Sequence, residues 1–308
     1  MASTINENDQ KLVALVSEYR VLTVKQLSAL SQRSFQVVRR RNRILEMEGL
    51  VATKMQRYGR GRGRPEELVF LTEKGAALLG DDGIPSGYFT GKAEDASPDH
   101  HLLVNWFRIH LLQIERSIPQ LSVKYLDPYS RHPSWDTVDG PLLPEHDRAN
   151  KKQEKSAQSI PDGIFSITSE TEKKTLLFFL EADMGTESLA GPNWGRKDIR
   201  QKILRYQGLF RKEGYKKCEK IFDAELNGFR LLFLANSAAR MLSLCGLVRE
   251  MQPSGFIWLS DQERMFSHGL SADIWARGGR NEDSPQSILG PRLACQLPVV
   301  YTDTKAEP

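Results

Sequence analysis

Acidic residues are nearly missing from one stretch of this chain. Between Arg33 and Arg64 only Glu46 and Glu48 oppose ten basic residues: Arg33, Arg39, Arg40, Arg41, Arg43, Lys54, Arg57, Arg60, Arg62 and Arg64. That window carries +8 while the whole chain carries +4, so the remainder is net acidic. Charge confined in this way implies a polyanionic partner for one region, not a diffusely basic protein. Cysteine is also scarce. Cys218, Cys245 and Cys295 are odd in number and far apart, which fits neither a disulfide framework nor a zinc site and points to a reducing, cytoplasmic setting. No apolar run approaches the ~18 residues of a membrane span. Met1 to Gln10 is polar and holds two acids, unlike a signal peptide. No internal repeat is present. His100, His101 and His110 lack matching Cys or carboxylate spacing, and Gly59-Arg60-Gly61-Arg62-Gly63 lacks the Lys-Ser/Thr of a phosphate-binding loop.

What is present is enough for two or three soluble domains: 308 residues, 40% of them hydrophobic. Residues 8–80 read as the first. Leu12, Val13, Leu15 and Val16 recur at helical spacing over 9–19. Thr23 can cap a short helix ending near Leu30, and Ser34 can cap a third helix from Phe35 to about Glu48. Gly49 is the expected stop. Leu50–Arg57 and Glu67–Leu71 read as two strands, joined by an Arg-Gly tip from Tyr58 to Pro65, and Thr72–Leu79 opens a fourth helix. Helix, short helix, basic helix, two-stranded wing, helix is the order of a winged helix-turn-helix. In that arrangement the third helix enters the major groove, where Ser34, Gln36, Arg39, Arg40, Arg41 and Arg43 meet double-stranded DNA. Arg57, Arg60, Arg62 and Arg64 of the wing then follow phosphates or enter an adjacent minor groove. A plain solvated face and an RNA-binding wing are the competing readings.

Residues 81–98, rich in Gly, Asp, Ser and Pro, read as a linker. A second domain follows over 99–277, with a tail at 278–308. It opens on an amphipathic helix, about 99–117, and a short strand at Ser122–Leu126. Tyr129–Ser159 is polar and reads as an irregular excursion. Next come a turn and strand at Ile160–Ile167, a buried strand at Thr175–Asp183, a helix at Lys197–Arg211 and a strand at Phe229–Ala235. Trp194 between them can stack on a base, on a partner or in the core. Ser237 starts a helix running to about Met251, where a cap and a surface Arg240 are preferred over phosphate binding. Phe256–Leu259 and Asp273–Ala276 extend the same sheet. The fold class is α+β or α/β with a mixed sheet.

Pro161-Asp162 on one strand and Glu181-x-Asp183 on the next resemble the PD-(D/E)xK nuclease superfamily, whose fold is restriction-endonuclease-like. Together with Met184-Gly185-Thr186-Glu187, Lys202-Ile203-Leu204-Arg205-Tyr206 and the preceding winged helix, they resemble the replication-relaxation family over roughly residues 8–240. The resemblance implies a plasmid or mobile-element protein acting in replication, relaxation or transcription control. It also implies a divalent cation, Mg²⁺ or Mn²⁺, held by Asp162, Glu181 and, as a possible third ligand, Asp183. The superfamily lysine falls two residues after the glutamate, where this chain has Asp183. Either Lys202 replaces it from the following helix, giving a catalytic set of Asp162, Glu181 and Lys202, or catalysis is lost and the acids are structural. A plain ion pair with Lys202 or Arg205 is the simpler alternative. Two functions stay open: a DNA-binding regulator acting as a homodimer, with a replication or mobile-element protein as a further partner, and a metal-dependent endonuclease targeted by its winged helix.

Overall fold

Short polar side chains fix where the first helices begin. In the computed structural model, which describes residues 5–56, 66–80, 98–126, 161–189 and 198–299, α1 (Glu7–Tyr19) starts on a capping box of Asn6 and Asp9. A second box, Thr23 with Gln26, starts α2 (Val24–Ser31). Ser34 accepts from the Val37 amide and starts α3 (Phe35–Met47). Each cap satisfies donors that the first turn leaves unpaired. Gly49 takes φ 71° just past α3, a left-handed conformation suited to glycine, and reverses the chain into β2.

Three strands follow the order β1-β3-β2, with β1 at Val21–Thr23, β2 at Val51–Gln56 and β3 at Glu66–Leu71. Both pairings are antiparallel. β1 is not expected from the sequence, because three residues are too few to show period-2 alternation. α4 (Glu73–Leu78) follows, capped by Thr72. Val13, Val16, Val38, Leu45, Val69 and Leu71 are buried here.

The long helix α5 (Pro98–Ser117) is shared between two compact units, one running through Ile109 and the other covering His110–Pro298. The sequence pattern assigns α5 wholly to the second domain. Its first half is instead tied into the first unit. Gln26 Nε2 donates to the Leu102 carbonyl at 2.8 Å, and Asn105 Nδ2 donates to the Tyr19 and Val21 carbonyls at 3.1 and 2.7 Å. Leu102 packs with Val21, Leu68 and Phe70, and Arg108 lies 3.8 Å over the Tyr19 ring.

The second unit is built on a six-stranded mixed sheet in simple order: β4 (Leu121–Leu126), β5 (Gly163–Ser169), β6 (Lys174–Asp183), β7 (Phe229–Ala235), β8 (Ile257–Asp261) and β9 (Ala276–Arg277). The pairs β6–β7 and β7–β8 are parallel and the others antiparallel. Parallel neighbours need crossovers. These are α6 (Ile199–Arg211) with the short α7 (Lys217–Phe222), then α8 (Ala238–Glu250). α9 (Gln262–His268) follows β8. Leu177, Phe179, Leu231, Phe233, Ile257 and Leu259 make one face of the sheet. They pack against Ile203, Tyr206, Met241 and Leu244 of α6 and α8. At roughly 25 cal/mol per Å² of apolar area, such burial dominates the stability of the unit.

Within the stretch whose composition reads as a tail, residues 278–299 pack onto the second unit. Ile288 is fully buried, the Cys295 and Leu297 amides donate to the Ser271 and His268 carbonyls, and Arg230 donates to the Ile288 carbonyl at 2.6 Å. Backbone groups satisfied in this way hold a polar segment that hydrophobic pattern alone does not predict. All three cysteines are free. Among the described residues no helix is long and apolar enough to cross a membrane. The expected wing tip with Arg57, Arg60, Arg62 and Arg64, the stretch 81–97, the expected excursion over 129–159 and Trp194 lie outside the described residues.

Candidate functional site

On α3 the helical period sorts the arginines. Val38, Asn42 and Leu45 face inward, so Arg41, between them, is drawn in as well. It forms a bidentate ion pair with Asp9 of α1, its Nε 2.7 Å from Asp9 Oδ1. Burial opposes ionisation of Asp9, but the Arg41 bonds and the Asn6 amide outweigh it and hold the carboxyl below its ordinary value. Arg41 thus ties α3 to α1 through Asp9 and is less exposed than Arg39, Arg40 and Arg43. Gln36, Arg39, Arg40 and Arg43 are placed on the outer side, and Ser34 is the half-buried cap. Arg39 reaches Glu67 at a loose 4.0 Å. Among the described residues Arg40 and Arg43 have no ion-pair partner.

In the second unit, β6 ends in Glu181 and Asp183, two residues apart and on the α6/α8 face. Each acid meets a different helix. Glu181 Oε2 lies 2.9 Å from Lys202 Nζ, and Oε1 accepts from Tyr206 Oη at 2.5 Å. Lys202 and Tyr206 are one turn apart on α6, so one helix face delivers both donors. Lys202 also reaches Glu187 at 3.3 Å. Asp183 is held by α8, with Arg240 Nε and Nη2 at 2.8 and 2.9 Å from its two oxygens and the Gly185 amide at 2.7 Å. Asp162 caps the neighbouring strand edge, accepting from the Ala182 amide at 2.8 Å. Gly163 beside it has no side chain. A Cβ there would run into the ring of Tyr125, whose hydroxyl donates to the Asp162 carbonyl.

The electrostatics follow from burial. Glu181 is 2% exposed. Burial pushes its carboxyl up to about 7, with Asp162 adding repulsion while Lys202 and Tyr206 oppose the rise. Burial works against the Lys202 cation, but Glu181, Asp162 and Glu187 outweigh it and raise its basicity. Burial and Glu181 push the Tyr206 phenol well up.

Lys202 pairs with Glu181, Asp162 is near enough to act on both electrostatically, and Asp183 pairs with Arg240. The oxygens a cation needs are already engaged: Glu181 by Lys202 and Tyr206, Asp183 by Arg240 and Gly185, Asp162 by Ala182. Among the described residues no group of three or more His, Cys, Asp or Glu is placed to hold a metal ion. A divalent cation bound here would compete with those bonds. Arg240 is not the surface residue that the sequence suggests. Its side chain is only 15% exposed and also donates to the Glu187 carbonyl at 2.7 Å. Nothing in the sequence pairs it with an acid 57 positions away.

The same arrangement accounts for the spacing of the Glu-x-Asp-x-Gly-Thr-Glu stretch. Glu181 and Asp183 anchor two helices, Gly185 turns at φ 73°, and Glu187 returns to Lys202. Residues 13–224 match the replication-relaxation family. The chain belongs to that family. A search of the curated proteins finds no match. The replication-relaxation match takes in the first unit's basic helix, Asp162, Glu181, Asp183, Lys202 and Tyr206, and stops short of Arg240.

Proposed function

We propose that this replication-relaxation chain binds double-stranded DNA, in replication, relaxation or transcription control of a plasmid or mobile element. In this reading α2, α3, β2 and β3 are a winged helix-turn-helix, α3 enters the major groove, and the second unit is a PD-(D/E)xK-like frame whose acids are structural. The observation that carries it is the outward basic face of α3, where Arg40 and Arg43 have no ion-pair partner among the described residues. Charged helix faces ordinarily mix signs, and guanidinium groups suit phosphate and guanine recognition. One recognition helix reads only a few base pairs, so a homodimer is part of the proposal. Gel filtration with light scattering tests it.

The deciding experiment is duplex binding by fluorescence anisotropy at moderate salt. Arg40→Ala with Arg43→Ala is expected to lose most of the affinity. Unchanged affinity sinks the reading. A metal-dependent endonuclease is the second reading, favoured by Lys202 standing 2.9 Å from Glu181 beside Asp162. It requires nicking of plasmid DNA with Mg²⁺ or Mn²⁺ that Glu181→Ala abolishes. No nicking with either ion leaves the binding role alone.

A further inference from the structure

The strands β6, β7 and β8 begin at the end of the sheet opposite Glu181 and Asp183. A cavity of about 1140 Å³ opens there. Three of its walls share one sheet face. Leu232 pairs with Trp258, Trp258 pairs with Arg277, and Arg230 stands two residues before Leu232. The Arg230 guanidinium lies 4.4 Å over the Trp258 ring and uses one N–H on the Ile288 carbonyl. Arg277 uses its Nε on the Gly255 carbonyl at 3.0 Å. A guanidinium has five N–H donors, so most donors on both are unused among the described residues.

No described carboxylate forms an ion pair with either arginine. Glu225 and Asp273 line the same groove without pairing to them. Lys173 and Lys174 stand at the rim, their only ion pairs among the described residues being with exposed Glu170 and Glu172, which hold such side chains weakly. Burial and the neighbouring Arg277 both hold Arg230 below its ordinary basicity. Two like charges therefore share one partly dry wall without a counter-ion. A bound anion relieves their repulsion, and a phosphate matches the guanidinium fork. The volume exceeds the roughly 300–1,000 Å³ usual for small ligands, which favours an extended occupant.

We propose that this groove, through Arg230, Arg277 and Lys174, binds the phosphate backbone of a single nucleic-acid strand. The choice of nucleic acid over other phosphates rests on the DNA-binding reading, and the experiment keeps the two apart. Full-length protein is titrated with a fluorescent oligothymidine of about twelve nucleotides, within the span of single-strand grooves. The Arg40→Ala/Arg43→Ala variant is expected to bind it as well as wild type. Arg277→Glu and Lys174→Glu, both at exposed positions, are each expected to weaken it about tenfold. The slope of log K against log salt should fall by about 0.7 for each phosphate that is no longer neutralised. Arg200→Glu, exposed at the start of α6, is the charge-matched control and should change nothing. No oligothymidine binding, or equal losses in all three Glu variants at unchanged melting temperature, overturns the proposal. So does full displacement by inorganic phosphate at matched ionic strength, which would make this a free-phosphate site. Duplex binding in the same Arg40→Ala/Arg43→Ala protein reports separately on the winged helix, so either reading can fail alone.

Discussion

Removing one member of a buried ion pair leaves a bare charge, and Asp183 is the clearest case. Arg240→Ala strands a carboxylate that is 6% exposed, and the expected cost is about 3–5 kcal/mol in urea unfolding. Arg240→Ala with Asp183→Asn should cost less than the sum of the two, since the charge goes with its partner. Glu181 and His110 respond to pH in opposite senses. The folded carboxyl of Glu181 sits at about 7, above its ordinary 4.5. Its contribution to stability is full below 4.5 and is lost as pH rises through 7. His110 is buried beside Phe266, neither ring nitrogen has a hydrogen-bond partner among the described residues, and burial pushes its pKa down to about 4 from 6.5. Its contribution is full above 6.5 and is lost as pH falls through 4. Melting temperatures from about pH 4 to pH 8 should therefore show Glu181→Gln flattening the alkaline limb and His110→Phe flattening the acid limb. A profile unchanged in both variants would refute these assignments.

At the scale of elements, α3 carries the testable content. Asp9→Asn removes an acid from the unit proposed to bind DNA, so simple electrostatics expects tighter duplex binding. If Asp9 fixes the rotation of α3 through Arg41, binding should weaken several-fold instead, and Asp9→Glu should restore part of it. The elements themselves are largely legible in the sequence. Thr23, Ser34 and Gly49 bound their helices within a residue or two, because caps and stops act locally. β6 and β7 are legible as unbroken apolar runs. The direction of Arg41 is not, because a cluster of basic residues hides which one the 3.6-residue period turns inward. Lys202 and Tyr206 are legible as neighbours on one turn. Arg240 is not legible as their counterpart on α8, since its acid lies across a crossover that composition does not encode.

For the whole molecule, the first unit ends inside α5 and not at a composition break, because Gln26 and Asn105 recruit the helix through backbone carbonyls 76 to 86 residues away. The last described residues are likewise integral. Truncation after Arg277 removes buried Ile288 and the Ser287–Ser271 bond at 2.7 Å. It is expected to lower the urea midpoint clearly, with the second unit losing stability first in proteolysis. Charge is also divided between the two ends of the second unit's sheet. At the ends of the parallel strands the acids are cancelled within the protein by Lys202 and Arg240, while at their beginnings Lys174, Arg230 and Arg277 have no comparable cancellation among the described residues. The sheet is thus a charged lever with its positive end open to the surroundings. For the proposed nucleic-acid strand, such a lever is expected to turn the polyanion before it docks, raising encounter rates at low ionic strength, an effect that fades once the Debye length shrinks to about 8 Å.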